Sequence, residues 1–369
     1  MIVSKNIWES SIRISERDIS LHDPTYFIAD IASNHDHSLE RSKELIWLAK
    51  ESGADAVKFQ HFKAGKIIND LEFKKLNNQL SHQSKWDKSV YEIFEEYEFN
   101  RSWNSMIAEE AKKAGIHFFT TPYDLEAFEE LRNEVPAIKI GSGDITWIDF
   151  LIQLAKYNKP ILLATGASYF EDIKRAVTAI ANYNSQIVLM QCNTNYTGSL
   201  ENFEYINLNV LRTFSIMYPG MILGLSDHTP GHATVLGAVA LGARVIEKHF
   251  TDDNNRKGPD HPFSMNPITW REMVDRTREL ELALGDGVKI VEKNEKDTHI
   301  IQRRGVYLNR DITTGEILRE DDFIILRPAP YGVILPYQLD EVLGKKLKNN
   351  KKKFESITLN DIEGIDNLC

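Results

Sequence analysis

Cysteine is nearly absent: Cys192 and Cys369 are the only two in 369 residues. One falls in an apolar run read as a strand and the other is the last residue. Neither a disulfide framework nor a thiolate metal site is therefore expected. Long apolar runs are also missing. No stretch reaches the ~18 residues of a membrane span, and Glu9, Glu16 and Asp18 stand where a signal peptide would need its apolar segment. The expectation is a cytoplasmic protein that engages no membrane. Positive charge is in deficit, with 44 Lys and Arg against 54 Asp and Glu for a formal charge of -10. That excludes a nucleic-acid partner held by phosphate neutralisation and confines any cationic site to a local patch aimed at a small anion.

What the chain has in quantity is alternation. With 42% hydrophobic and 27% charged residues it can support one large core plus a smaller module. Short apolar runs, continuous enough to be buried on both faces, occur at 27–32, 54–60, 117–121, 137–141, 160–165, 187–192, 222–226 and 244–249. Segments of helical period lie at 38–52, 100–114, 125–132, 146–157, 170–183, 203–217, 232–241 and 267–284. This is the pattern of an α/β fold, a (β/α)8 TIM barrel. The main irregularity is a long insertion, 61–99, carrying Trp86, Tyr91 and Tyr97; it reads either as part of the rim or as a solvated loop. After Gly285 the period changes to short β-type pieces broken by turns such as Arg310-Asp311 and Thr314-Gly315. The expected organisation is an extension at 1–24, either a capping hairpin or an exposed arm, then the (β/α)8 barrel at 25–285. A linker at 286–300 and a small β-rich domain at 301–369 follow. The lysines of 345–353 read as a solvated face.

Barrels of this kind place their chemistry at the C-terminal ends of the strands. The residues closing the runs are polar: Asp30, Asn34 and His35; Lys58 and Gln60; Thr120 and Thr121; Lys139, Ser142 and Asp144; Asn193 to Tyr196; Ser226 and His228; His249. Gly224 to Thr229 and Arg244 to Thr251 each pass through a β-type run to a histidine. If those strands are neighbours, His228 and His249 emerge together where a divalent metal fits, the other reading being two structural histidines. Lys58 and Lys139 are costly to bury unless they meet an anion. A structural ion pair with Asp30 or Asp144 is one account. A phosphate plus a carboxylate, gripped with the hydroxyls and the Gly141-Ser142-Gly143 turn, is the other. Asp260, in a loop stiffened by Pro259 and Pro262, is read as orienting a hydroxylated substrate or as capping a plain turn.

These residues resemble the sialic (nonulosonic) acid synthases. The likeness runs from about residue 26 through Ala29 to His35, Val57-Lys58-Phe59-Gln60, Thr120-Thr121-Pro122, Lys139 to Gly143, Gly224 to Thr229, Glu247 to Thr251 and Gly258-Pro259-Asp260. The tail, with Arg303 to Tyr307, Gly315 to Leu318 and Leu326-Arg327-Pro328, is similar to the antifreeze-like (SAF) domain of these synthases. The resemblance implies condensation of phosphoenolpyruvate with an N-acylated hexosamine aldehyde, releasing phosphate by C–O cleavage. It implies a metal, usually manganese with magnesium or cobalt as alternatives, on His228 and His249. It assigns Asp30, Lys58, Lys139, Asp144 and His249 to catalysis, with Lys58, Thr121, Lys139, Ser142 and Ser226 on phosphoenolpyruvate. Gln60, Thr194, Tyr196, Asp260 and Arg327 would face the sugar, Arg327 being lent across a domain-swapped homodimer.

The chain departs from that pattern in places. Asp30 and Asp144 stand where the family usually has glutamate, each withdrawing a carboxylate by one methylene, roughly 1.5 Å. Thr194 stands where an asparagine is common. These changes leave the phosphoenolpyruvate residues intact and alter the sugar side. The acceptor is therefore read as N-acetylmannosamine or a 2,4-diacetamido-trideoxyhexose, the sugar-side changes favouring a nonulosonic acid other than the commonest, such as a legionaminic, pseudaminic or related diamino sugar acid. The competing readings are a 3-deoxy-aldulosonate phosphate synthase of the related barrels, which needs extra basic residues for a second phosphate, a metal-dependent hydrolase, and a non-catalytic carbohydrate-binding homologue.

Overall fold

The computed structural model describes residues 7–76, 83 and 86–365. An antiparallel hairpin, β1 (Ser11–Ile14) and β2 (Arg17–Ser20), precedes β3 (Tyr26–Asp30), β4 (Ala56–His61), β5 (His117–Pro122) and β6 (Ile138–Ile140). Next come β7 (Ile161–Ala164), β8 (Ile187–Cys192), β9 (Ile222–Asp227) and β10 (Ala243–His249). Strands β3 to β10 pair in parallel in sequence order, and β10 closes on β3. The expected (β/α)8 barrel is present.

Strand parity sorts the side chains. Val57, Phe59, Leu163, Leu189 and Ile246 face outward and pack with the helices. The intervening residues Tyr26, Ile28, Ala56, Phe119, Ala137, Leu162, Val188, Met190, Ile222 and Val245 fill the lower barrel interior. Ile12, Ile14 and Ile19 of the hairpin are buried in that same cluster. The hairpin Ser11–Ser20 is thus a plug for the barrel bottom. Each isoleucine contributes about 1.5–3 kcal/mol of apolar burial.

Two elements depart from the sequence pattern. The expected helix 203–217 divides into a 3-10 segment Leu200–Tyr205 and a helix Val210–Met217. Asn207 between them adopts a left-handed φ of 48°, a conformation asparagine tolerates and a helix cannot continue through. The insertion folds into short helices Ala64–Ile67, Asp70–Lys75 and Val90–Glu96, the last opened by a Ser89/Glu92 capping box.

A second compact unit begins at Asp286. Its strands β11 (Gly305–Leu308) and β12 (Phe323–Leu326) are antiparallel, and Val306, Leu308, Ile312, Leu318, Ile334, Val342, Leu347, Ile357 and Ile362 form its core. The 286–300 stretch, read from the sequence as a linker, runs into a helix Lys296–Ile301. Cys369 lies outside the described residues.

Candidate active site

Continuing the inward parity past the apolar floor produces a polar layer. On β3 and β4 it holds Asp30, then Lys58 and Gln60; on β5 and β6, Thr121 and Lys139; on β9 and β10, Ser226, Glu247 and His249. Register sets the neighbours: Asp30 stands opposite Lys58 and His249, Gln60 opposite Thr121, and Glu247 opposite Ser226. Lys58 and Lys139 are 2% and 3% exposed. Lys58 Nζ lies 2.7 Å from Asp30 Oδ2 and 3.8 Å from Glu247 Oε2, and donates to Thr121 Oγ1 at 2.9 Å. Lys139 Nζ lies 3.2 Å from Glu247 Oε1, which also accepts the Ser226 hydroxyl at 3.1 Å. The two ammonium groups therefore converge on one carboxylate. Of the partners anticipated for the lysines, Asp30 is correct and Asp144 is not: Lys139 pairs with Glu247. The reason is parity, since Glu247 projects from β10 into the barrel while Asp144 sits on the turn after β6.

Asp30 is short, and the structure uses that. Its Oδ1 accepts the Ala32 N–H at 3.0 Å, holding a turn in which Ala32 has a φ of 47°, while Oδ2 receives Lys58 and, at 2.9 Å, the Gln60 amide. Burial pushes the Asp30 carboxyl up, but the Lys58 ammonium and His249 outweigh it and hold it below its usual range. Burial drags the Lys58 ammonium down, and Asp30 and Glu247 more than reverse this. Asp144 is half-buried with no partner for Oδ2, and burial lifts its carboxyl to about 6 against the pull of Lys139.

His228 and His249 lie side by side, ring centroids 5.3 Å apart. The His228 Nδ1 faces the Asn193 carbonyl at 2.8 Å, which fixes the tautomer and leaves Nε2 with its lone pair. Burial, reinforced by His249, pushes His228 down to about 3, so it is neutral at physiological pH. His249 Nδ1 is buried without a hydrogen-bond partner, and its Nε2 is 3.6 Å from Asp30 Oδ2. Two neighbouring imidazoles, one neutral with its tautomer fixed and the other with an orphaned nitrogen, fit a divalent cation. Among the described residues no cluster of three or more His, Cys, Asp or Glu side chains forms a ready-made metal cage.

Above this layer opens a cavity of about 300 Å³. Its polar lining includes Ser33, Gln60, Tyr123, Ser142, Tyr196, His249 and Asp260. Asp260 Oδ2 accepts both the N–H of Ser33, at 3.1 Å, and its hydroxyl. Phe62, Ile67, Trp86, Ile93, Phe94 and Tyr97 supply an apolar wall. The 61–99 insertion is thus rim, with Trp86 and Tyr97 on the cavity and Tyr91 not. Gly166 touches the site in a way the sequence did not signal. A Cβ there would lie 2.5 Å from Thr194 Cγ2 and 2.9 Å from Ser142 Oγ, and its N–H donates to Ser142 Oγ at 2.9 Å.

Of the residues expected from the sequence, Asp30, Gln60, Lys58, Thr121, Lys139, Ser142, Tyr196, Ser226, His228, His249 and Asp260 come together on this rim. Thr194 lies beside Gly166 in the loop after β8 and does not line the cavity. Arg327 follows directly after β12 in the second unit, exposed. Glu247 and Tyr123 were missed. Glu247 had a signal: it is a carboxylate inside an apolar strand, two residues before His249 and so on the same face. Tyr123, whose hydroxyl lies 3.4 Å from Gln60 Oε1, had none.

Fold and site define a barrel protein with a buried layer of paired lysines and carboxylates under a cavity of about 300 Å³, joined to a small β-rich module. The chain belongs to the NeuB family, whose model matches residues 45–289, and residues 303–363 match the SAF domain. It is 36% identical to the N,N'-diacetyllegionaminic acid synthase of Campylobacter jejuni, over 90% of this chain and 98% of that one. The protein of the same name from Legionella pneumophila is 33% identical, over 88% and 91%. The crystal structure of N-acetylneuraminic acid (sialic acid) synthetase from Leptospira borgpetersenii superposes with a TM-score of 0.69 at 26% identity, covering 79% of this chain and 95% of that one.

Proposed function

We propose that this chain is an enzyme that condenses phosphoenolpyruvate with an open-chain N-acylated amino-sugar aldehyde to form a nonulosonic acid. The observation that carries the reading is the convergence of Lys58 and Lys139 on Glu247, at 3.8 and 3.2 Å, in the polar layer that also holds His249. Two buried ammonium groups, with Thr121, Ser142 and Ser226 hydroxyls around them, suit the phosphate and carboxylate of phosphoenolpyruvate, which compete with Asp30 and Glu247 for them. A divalent metal on His228 and His249, manganese with magnesium or cobalt as alternatives, supplies polarisation of the aldehyde oxygen when bound. Gln60, Tyr196 and Asp260 orient the sugar hydroxyls, with Thr194 shaping the adjoining loop. C3 of phosphoenolpyruvate attacks the aldehyde carbon, water adds at C2, and phosphate departs with its bridging oxygen by C–O cleavage. Asp144, with its carboxyl raised to about 6, takes the proton from that water. The partner's Arg327 completes the sugar side in a domain-swapped dimer.

The acceptor proposed is a 2,4-diacetamido-trideoxyhexose. Its deoxy terminus and second acyl group suit the apolar wall, and similarity to two diacetyllegionaminic acid synthases supports it. A phosphorylated acceptor, as a 3-deoxy-aldulosonate phosphate synthase requires, would meet no Lys or Arg among the described lining residues. Among the described residues no helix is long and apolar enough to cross a membrane, and the proposed setting is the cytoplasm. The test is mass spectrometry of products from phosphoenolpyruvate, manganese and a panel of 2-acetamido, 2,4-diacetamido and phosphorylated sugars. A legionaminic-type mass supports the reading. N-acetylmannosamine as the best acceptor overturns the acceptor assignment, and no phosphate release with any sugar overturns the enzyme.

A further inference from the structure

The polar groups of the site point into the barrel, whereas the opposite face of β9 and β10 carries a second charged pair. Asp227 and Lys248 stand across from each other in register, and both side chains are 1% exposed. Lys248 Nζ pairs with Asp227 Oδ2 and donates to the Thr229 carbonyl at 2.6 Å. The same Oδ2 accepts the hydroxyls of Thr229, at 2.8 Å, and Thr234, at 2.7 Å, the latter in the first turn of the helix Ala233–Ala240. Asp227 Oδ1 also faces the Thr229 N–H at 3.3 Å.

Position gives this network its meaning. His228 lies between Asp227 and Thr229, both tied to Lys248, and His249 follows Lys248 directly. One ammonium group therefore anchors the chain on both sides of the first imidazole and immediately before the second. For stability alone such a pair has little to recommend it. Desolvating two charges offsets their attraction, and apolar residues of the same volume often hold strands together as well or better. What the pair supplies that methyl groups cannot is direction, because Lys248 holds the Thr229 carbonyl and Asp227 the Thr229 N–H, two backbone atoms just past His228, while the threonine hydroxyls fix the Asp227 carboxylate.

We propose that the Asp227–Lys248 pair, with Thr229 and Thr234, is a positioning network that sets the spacing of His228 and His249 for a divalent cation. The inference rests on the reading of those imidazoles as metal ligands.

The experiment measures the manganese dissociation constant of the full chain by electron paramagnetic resonance of free Mn2+, with the unfolding midpoint recorded in parallel. The parent, His249→Ala, Lys248→Met, Thr234→Val and Thr234→Ser are compared. The parent binds and His249→Ala does not. Lys248→Met weakens binding about 10- to 100-fold, the range seen when outer partners of metal ligands are lost. Thr234→Val weakens it in the same direction, and Thr234→Ser, which keeps the hydroxyl, restores it. A folded Lys248→Met chain that binds within two-fold of the parent overturns the inference and leaves the metal reading standing. If Lys248→Met does not fold, the Thr234 pair decides, and equal affinities for valine and serine overturn it. A parent that binds no manganese overturns the metal reading itself, and this inference falls with it.

Discussion

Asp30 and Lys58 face each other across β3 and β4 with Oδ2 2.7 Å from Nζ, and both side chains are 2% exposed. Removing one partner strands the other. Lys58→Met leaves Asp30 and Glu247 short of a cation in a buried layer, so a loss of about 3–5 kcal/mol is expected in denaturant unfolding. Turnover falls by about 10²-fold or more, because a charge aimed at the phosphate is gone. Adding Asp30→Asn to that variant returns much of the stability and none of the activity. Unchanged stability in the single variant would show that water solvates the pair.

The carboxyl of Asp144 is expected to make stability and activity respond to pH in opposite senses. Burial raises it to about 6, against an unfolded value near the ordinary 3.8. The folded protein thus holds this proton more tightly than the unfolded chain does. The resulting stability is fully present below about 4 and is lost as pH rises through about 6. Over the same window the carboxylate needed to accept a proton accumulates. Melting temperature should therefore fall, and kcat rise, between pH 4 and 6 in the parent relative to Asp144→Asn. Superimposable melting profiles would remove this carboxyl from the buried environment described.

Gly166→Ala should act on the anion site without unfolding the barrel. Its Cβ would lie 2.9 Å from Ser142 Oγ, 2.5 Å from Thr194 Cγ2 and 3.2 Å from Cys192 Sγ, all nearer than a real Cβ is ordinarily found. The expected result is a several-fold rise in KM for phosphoenolpyruvate, with a melting temperature close to that of the parent, since the displaced atoms are side-chain ends. An unaltered KM would separate Ser142 from the anion.

Chelation should abolish turnover, and manganese should restore it. Saturating metal also stabilises whatever binds it only when folded, by about 2.7 kcal/mol at a hundred times the dissociation constant. Melting temperature should therefore climb with manganese in the parent and stay flat in His228→Ala. Full activity in the presence of excess chelator would dismiss the metal assignment.

The hairpin plug offers a contrasting prediction. Ile14 is wholly buried at the barrel bottom, so Ile14→Ala should cost about 2–5 kcal/mol while leaving KM and kcat at assay temperature unchanged. A change in KM would mean that the floor and the rim are mechanically linked.

The eight strands, their order and the polarity of their C-terminal ends were readable from the sequence, because strands buried on both faces are continuous apolar runs and barrel chemistry sits where they end. His228, His249, Lys58, Lys139 and Gln60 could be named for the same reason. Strand parity is local, and it decides which side chains face inward. Which inward groups meet is a matter of register and closure. Only the folded barrel shows that Lys139 pairs with Glu247 from a strand more than a hundred residues away, rather than with the nearer Asp144. The aromatic wall of the cavity, Tyr123 beside Gln60, and Gly166 against Ser142 likewise arise from long-range packing that no spacing announces. The sequence by itself determined the cylinder and the chemical character of its mouth, since both follow from periodicity. The ion-pair partners and the shape of the cavity were decided by tertiary structure, since contacts between strands distant in the chain exist only once the sheet has closed.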